Sequence, residues 1–156
     1  MTSADQRDEK DEHSDSTKAW SGRYRWPDLT GIHVVLVEDN DDTRVMVKET
    51  LQHCGALVAT YSSADDALAQ LSEVVPNVLV CDLSMPGLDG LEFLLRLRAR
   101  PAEHGGRVRA IAITAYYEDF AAAAALEVGF DVYMTKPIKL EQLAALVREL
   151  ASPRSA

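Results

Sequence analysis

The chain has 156 residues, about one domain by length, and its 47% hydrophobic content is enough to build a core. With 16 Lys and Arg against 25 Asp and Glu, the formal net charge is −9, which gives phosphate-neutralising nucleic-acid binding no support. The longest apolar runs, such as residues 34–37 and 120–126, fall far short of the roughly 20 residues that span a bilayer. The start of the chain holds no apolar signal segment, and Cys54 and Cys81 make neither a disulfide framework nor a zinc site, so a reducing cytoplasm fits best.

Residues 1–30 begin as a mixed-charge, Ser/Asp-rich run, with Asp5, Asp8, Glu9, Asp11, Glu12 and Asp15 against Arg7, Lys10 and Lys18. This is the composition of a disordered tail. Its end carries both tryptophans, Trp20 and Trp26, with Tyr24 between them and Pro27 directly after, so a docking segment and a loosely held linker both stay open. Pro27 and Gly31 punctuate the entry to a domain expected over residues 31–151, with 152–156 as a short C-terminal tail.

From residue 32 the pattern alternates. Apolar runs at 32–37, 56–60, 77–81, 110–114 and 131–134 predict strands. Between and after them, segments 42–54, 63–73, 90–100, 120–127 and 140–150 predict helices, with inward stripes such as Val47, Leu51 and Cys54, Ala64, Leu68 and Leu71, or Leu143, Leu146, Val147 and Leu150. Gly55 and Gly129 follow the first and fourth helices, where a left-handed cap is wanted. Five βα units with nearly continuous apolar strands predict an α/β, three-layer doubly wound (βα)5 architecture, its parallel sheet covered on both faces. The strand order common for such a sheet is 2-1-3-4-5.

Ligands of open parallel sheets bind at the carboxyl ends of the strands, so the residues that close each run are the informative ones. Strand 1 closes on Glu38-Asp39, strand 3 on Asp82, strand 4 on Thr114 and strand 5 on Thr135-Lys136-Pro137. In the expected order strands 1 and 3 are neighbours, and three carboxylates would share one cleft. Like charges at close range demand raised pKa values or a cation. Mg²⁺ suits carboxylate ligands and keeps positions for phosphoryl oxygens; Lys136 adds a point charge and Thr114 a hydroxyl. The set describes a site for a phosphoryl group held on Asp82 as an aspartyl phosphate.

Taken singly, each residue has an ordinary structural explanation. Asp82 could be a solvated loop residue or a helix N-cap, and Asp41 or Asp42 could cap the first helix. Lys136 could be a surface lysine, Thr114 a strand residue and Tyr133 a core aromatic. What counts is their coincidence at four strand ends. Cys81 in a strand and Cys54 near a helix end read as small apolar fillers. His13, His33, His53 and His104 are scattered without ligand spacing, so a phosphodonor histidine must lie on another molecule.

Four segments carry a resemblance: Val35-Leu36-Val37-Glu38-Asp39-Asn40, Val78 to Gly90 with its Cys81-Asp82-Leu83-Ser84-Met85-Pro86 centre, Ala112-Ile113-Thr114-Ala115, and Tyr133-Met134-Thr135-Lys136-Pro137. In this order, over roughly residues 31–151, they resemble the receiver domain of two-component response regulators, a flavodoxin-like fold. The resemblance implies Asp82 as phosphoacceptor from a histidine kinase or histidine phosphotransfer protein. It implies Mg²⁺ on Glu38, Asp39, Asp82 and the backbone carbonyl of Ser84. Thr114 and Lys136 would contact the phosphoryl group, Tyr133 would turn inward on activation, and the Lys136-Pro137 bond is commonly cis. The output would be a switched partner-binding face on helix 4, strand 5 and helix 5.

Glu38 stands where Asp is also frequent in such domains, and Ser84 and Tyr116 would flank a hydrolytic water. Residues 103–106 resemble the corresponding loop of receivers attached to hybrid kinases. Only residues 152–156 follow the last helix, too few for an output domain, so a stand-alone receiver without nucleic-acid or membrane partners is expected. Two other readings compete. An aspartate-nucleophile phosphatase shares the sheet, the metal and the acyl phosphate, but usually has a second Asp where Ser84 stands, and a cap insertion that this chain lacks. A binding module of the same fold could work without phosphorylation.

Overall fold

The computed structural model describes residues 26–85, 87–115 and 119–152. Five strands, β1 (His33–Val37), β2 (Leu57–Tyr61), β3 (Val78–Asp82), β4 (Arg109–Thr114) and β5 (Val132–Thr135), alternate with α1 (Asp41–His53), α2 (Ala64–Leu71), α3 (Gly90–Arg98), α4 (Asp119–Val128) and α5 (Leu140–Ala151). All strand pairs are parallel and the order is β2-β1-β3-β4-β5, as expected. A 3₁₀ turn, Ala102–His104, precedes β4.

Alternate residues of the inner strands face opposite helix layers, as the strand period of two requires. Val35, Val37, Leu79, Cys81, Ala110 and Ala112 pack with Ala67 and Leu71 of α2, Phe93, Leu94 and Leu97 of α3, and Ala125 of α4. Val34, Leu36, Val78, Val80, Ile111 and Ile113 pack with Val47 and Leu51 of α1 and Leu143, Ala144 and Val147 of α5. The expected burial on both faces holds for β3, whose five residues are all buried. It fails at the edges, where Leu57 of β2 is 56% exposed, because an edge strand has a neighbour on one side only.

Helix α1 starts one residue earlier than its apolar pattern predicts. Its N-cap is Asn40, whose side chain accepts from the Thr43 N–H at 2.8 Å, and not Asp41 or Asp42. Those two lie in the first turn, where negative charge meets the helix dipole favourably. Ser63 and Asp89 cap α2 and α3 in the same way. Gly55 and Gly129 have the expected positive φ, 107° and 116°.

Packed chain reaches beyond the expected boundary at residue 31. Leu29 is fully buried among the residues between α1 and α5, and Trp26 packs against the same cluster. The Leu29 N–H donates to the Cys54 carbonyl (2.8 Å) at the end of α1, and Arg148 of α5 donates to the Asp28 carbonyl (3.0 Å). Asp28 also accepts from both the N–H and the hydroxyl of Thr30, and these bonds, with Arg148 nearby, hold its carboxyl below the usual range. A Cβ at Gly55 would lie 2.9 Å from the Thr30 nitrogen, so glycine there serves close approach as well as conformation. Residues 1–25, with Trp20 and Tyr24, lie outside the described residues, as do 153–156.

Candidate functional site

Sheet register assembles the site. Val37 of β1 lies level with Cys81 of β3, which puts Glu38 beside Asp82. Asp82 is level with Ile113 of β4, and Thr114 with Thr135 of β5. The next residues on each strand, Glu38, Thr114 and Lys136, therefore share one rim with Asp82. Glu38, Asp82 and Thr114 are the buried polar residues among those described, at 2%, 2% and 5% exposure. Carboxylate oxygens of Glu38, Asp39 and Asp82 lie within 4.8 Å of one another, with Asp39 the most open of the three.

Lys136 meets this charge from the opposite side. Its Nζ is 3.3 Å from Asp82 Oδ2 and 3.8 Å from Glu38 Oε1. The other Asp82 oxygen, Oδ1, accepts from the Ser84 N–H at 3.1 Å; Glu38 Oε2 accepts from the Asn40 N–H at 3.1 Å. The Lys136-Pro137 bond is cis, and the Lys136 N–H donates to the Thr114 carbonyl (2.8 Å). Tyr133 is 41% exposed, so it is not a core aromatic. Asp82 is not a helix cap either: Asp89 caps α3. Tyr116 lies outside the described residues.

Burial pushes the Glu38 carboxyl up to about 7, and the neighbouring Asp82 adds to the rise, against lowering by the Asn40 N–H and Lys136. A group whose folded pKa is raised favours folding fully below its unfolded value and loses that contribution as pH rises through the folded one. Metal-free protein is thus expected to lose stability from this site between pH of about 4.5 and 7. Urea denaturation across that range checks it, with Glu38→Gln removing the slope. Burial also raises the thiols of Cys81 and Cys54, as expected of apolar fillers.

Three residues that shape the site are absent from the expected set. Arg44 of α1 donates from Nη1 to the Glu38 carbonyl (2.9 Å) and pairs through Nη2 with Asp41 at 2.6 Å. Asn40 caps α1 and binds Glu38; the Asn40-x-x-Thr43 spacing could have pointed to it. Gly90 backs the other wall: a Cβ there would lie 2.7 Å from the Asp82 carbonyl oxygen and 2.8 Å from the Leu83 Cα.

A donor set of three clustered carboxylates, two of them buried, fits a hard divalent cation such as Mg²⁺, which prefers oxygen ligands. Among the described residues, no helix is long and apolar enough to cross a membrane. The family described as "Response regulator receiver domain" matches residues 34–148. An uncharacterised 14.6 kDa protein of Leptolyngbya boryana is 38% identical over 130 residues, covering 82% of this chain and 98% of that protein. The transcriptional regulatory protein TrcR of Mycobacterium tuberculosis is 36% identical, but the alignment with 82% of this chain spans 48% of that protein. The chain thus spans about half the length of such curated regulators. Among solved structures, the receiver domain of a sensor histidine kinase from Pseudomonas aeruginosa, with a magnesium ion coordinated in its active-site cleft, aligns with 78% of this chain and 98% of its own. Its TM-score is 0.71, at 26% identity. With the matched region covering most of the sequence, the chain belongs to the response regulator receiver domain family.

Proposed function

We propose that Asp82 accepts a phosphoryl group from the phosphohistidine of a sensor kinase or histidine phosphotransfer protein. The observation that carries this is the buried Asp82 carboxylate with Lys136 Nζ 3.3 Å away and two further carboxylates beside it. One Asp82 oxygen attacks the phosphorus. The phosphorus–nitrogen bond breaks, its electron pair stays on the donor imidazole, and an acyl phosphate remains on the protein.

Glu38, Asp39, Asp82 and the backbone carbonyl of Ser84 would hold Mg²⁺, which when bound neutralises charge on the transferred group's oxygens. Lys136 supplies a point charge to one of those oxygens, and the Thr114 hydroxyl, at the same rim, supplies a hydrogen bond. Drawing Thr114 toward the phosphoryl group opens space into which Tyr133 turns, and the face of α4, β5 and α5 changes its affinity for a protein partner. Signalling of this kind makes the chain a switch without multiple turnover; a cytoplasmic location agrees with two free, buried thiols.

The test is incubation with Mg²⁺ and acetyl phosphate, followed by detection of an acid-stable, base-labile phosphoryl adduct by intact mass and peptide mapping. Wild type is expected to carry one adduct at Asp82, and Asp82→Asn none. An unlabelled wild-type protein, or equal labelling of both, overturns the proposal. Sustained hydrolysis of small phosphate esters would favour the phosphatase reading instead.

A further inference from the structure

Resting on the functional reading above, we infer that Arg44 is a positioning residue for the metal-binding carboxylates, acting through the main chain of the loop that carries them. Among the described residues, its guanidinium pairs with no acidic oxygen of Glu38, Asp39 or Asp82. It donates instead from Nη1 to the Glu38 carbonyl at 2.9 Å. That carbonyl belongs to the peptide joining Glu38 to Asp39, so its orientation sets the direction in which Asp39 leaves the strand. Asp41 holds the other arm of the fork, Nη2 to Oδ1 at 2.6 Å, and the Arg44 N–H is itself bonded to the Asn40 carbonyl at 2.9 Å.

The Glu38–Asp39–Asn40 turn is therefore tied on both sides of Asp39. The Glu38 N–H is fixed on the Tyr61 carbonyl (3.0 Å), the Glu38 side chain on the Asn40 N–H, and the Glu38 carbonyl on Arg44. Asp39 is the most open of the three carboxylates, and its side chain makes no hydrogen bond among the described residues. Its aim depends on the peptide that Arg44 grips. Arginine suits this role because its planar fork places two donors at once, on the carbonyl and on Asp41, where lysine presents a single mobile point charge.

The sign of the effect separates positioning from simple electrostatics. Removing a cation from the edge of an acidic site should, by Coulomb attraction alone, tighten Mg²⁺ binding. Loss of a positioning contact should weaken it, by about tenfold on the scale seen for groups that orient metal ligands. Calorimetric titration of the full chain with MgCl₂ alone, without phosphodonor, decides between them. Arg44→Met is expected to bind Mg²⁺ about tenfold more weakly than wild type, despite the lost positive charge. Arg44→Lys, which keeps the charge and guards against a misfolded methionine variant, is expected to weaken binding in the same direction. Melting of both variants in metal-free buffer checks that each is folded at the titration temperature. Tighter or unchanged Mg²⁺ binding in either folded variant overturns the inference. A wild-type chain that binds no Mg²⁺ overturns the functional reading as well, and is told apart because it fails before any variant is compared.

Discussion

Lys136→Met is expected to slow phosphoryl transfer from acetyl phosphate to Asp82 by about 10²–10³-fold at saturating Mg²⁺, the scale for losing one preorganised electrostatic group at a reacting centre. The side chains are of similar length, so the change removes charge with little change in volume. Among the described residues, the ion pairs of Asp82 and Glu38 both end on Lys136. Transfer brings further negative charge to a rim that already carries three carboxylates, and Lys136 is the cation that offsets it from the β5 side. Metal binding should change less, because Lys136 is not among its ligands and its removal relieves competition for the same carboxylates. Rates of adduct formation, followed by mass at fixed donor concentration, check this. A variant phosphorylated as fast as wild type would return Lys136 to the status of a surface lysine.

Leu29→Ala is expected to lower the unfolding free energy by about 3 kcal/mol, toward the lower end of the range for burying alanine where leucine was. Leu29 has no exposed surface and belongs to the core cluster to which α1 contributes Val47 and Leu51 and α5 contributes Leu143, Val147 and Leu150. The lower end applies because residues 26–30, a strap before β1 anchored through the Cys54 carbonyl and Arg148, can settle partly into the vacated space. Urea unfolding measures the loss, and Trp26, packed on the same cluster, gives a fluorescence signal near the change. A loss below about 1 kcal/mol would mean that the strap contributes little packing. The result matters for where the domain begins, since Leu29 precedes the region, residues 34–148, that defines the family match.

Much of the site was legible residue by residue because its chemistry is written at strand ends. Glu38, Asp39, Asp82, Thr114 and Lys136 each follow an apolar run, and an apolar run followed by a polar residue marks where a buried strand meets the rim. The order of strands was legible less directly, from the general habit of doubly wound sheets, and the register then brought Glu38 level with Asp82. Arg44 was not legible. Its sequence neighbours Asp41 and Asp42 suggest an ordinary exposed ion pair, and only the backbone course after Val37 reveals that its other arm reaches a carbonyl. Leu29 was missed for a related reason: a single apolar residue between Pro27 and Gly31 has no period to report its burial. Asn40 does not stand out as the cap of α1 because the two aspartates beside it are equally good caps on composition alone.

By itself the sequence determined the alternation of five strands and five helices, the inward stripe of most helices and the set of groups able to do the chemistry, since propensity and periodicity act over a few neighbouring residues. Tertiary structure alone decided how those groups are coupled. Lys136 and Asp82 are 54 residues apart, and Arg148 and Asp28 are 120 apart; such pairs exist only once the sheet register and helix layers are set. The raised pKa of Glu38 belongs to the same class, because desolvation and the field of Asp82 depend on what surrounds a side chain in space, and no local pattern encodes that.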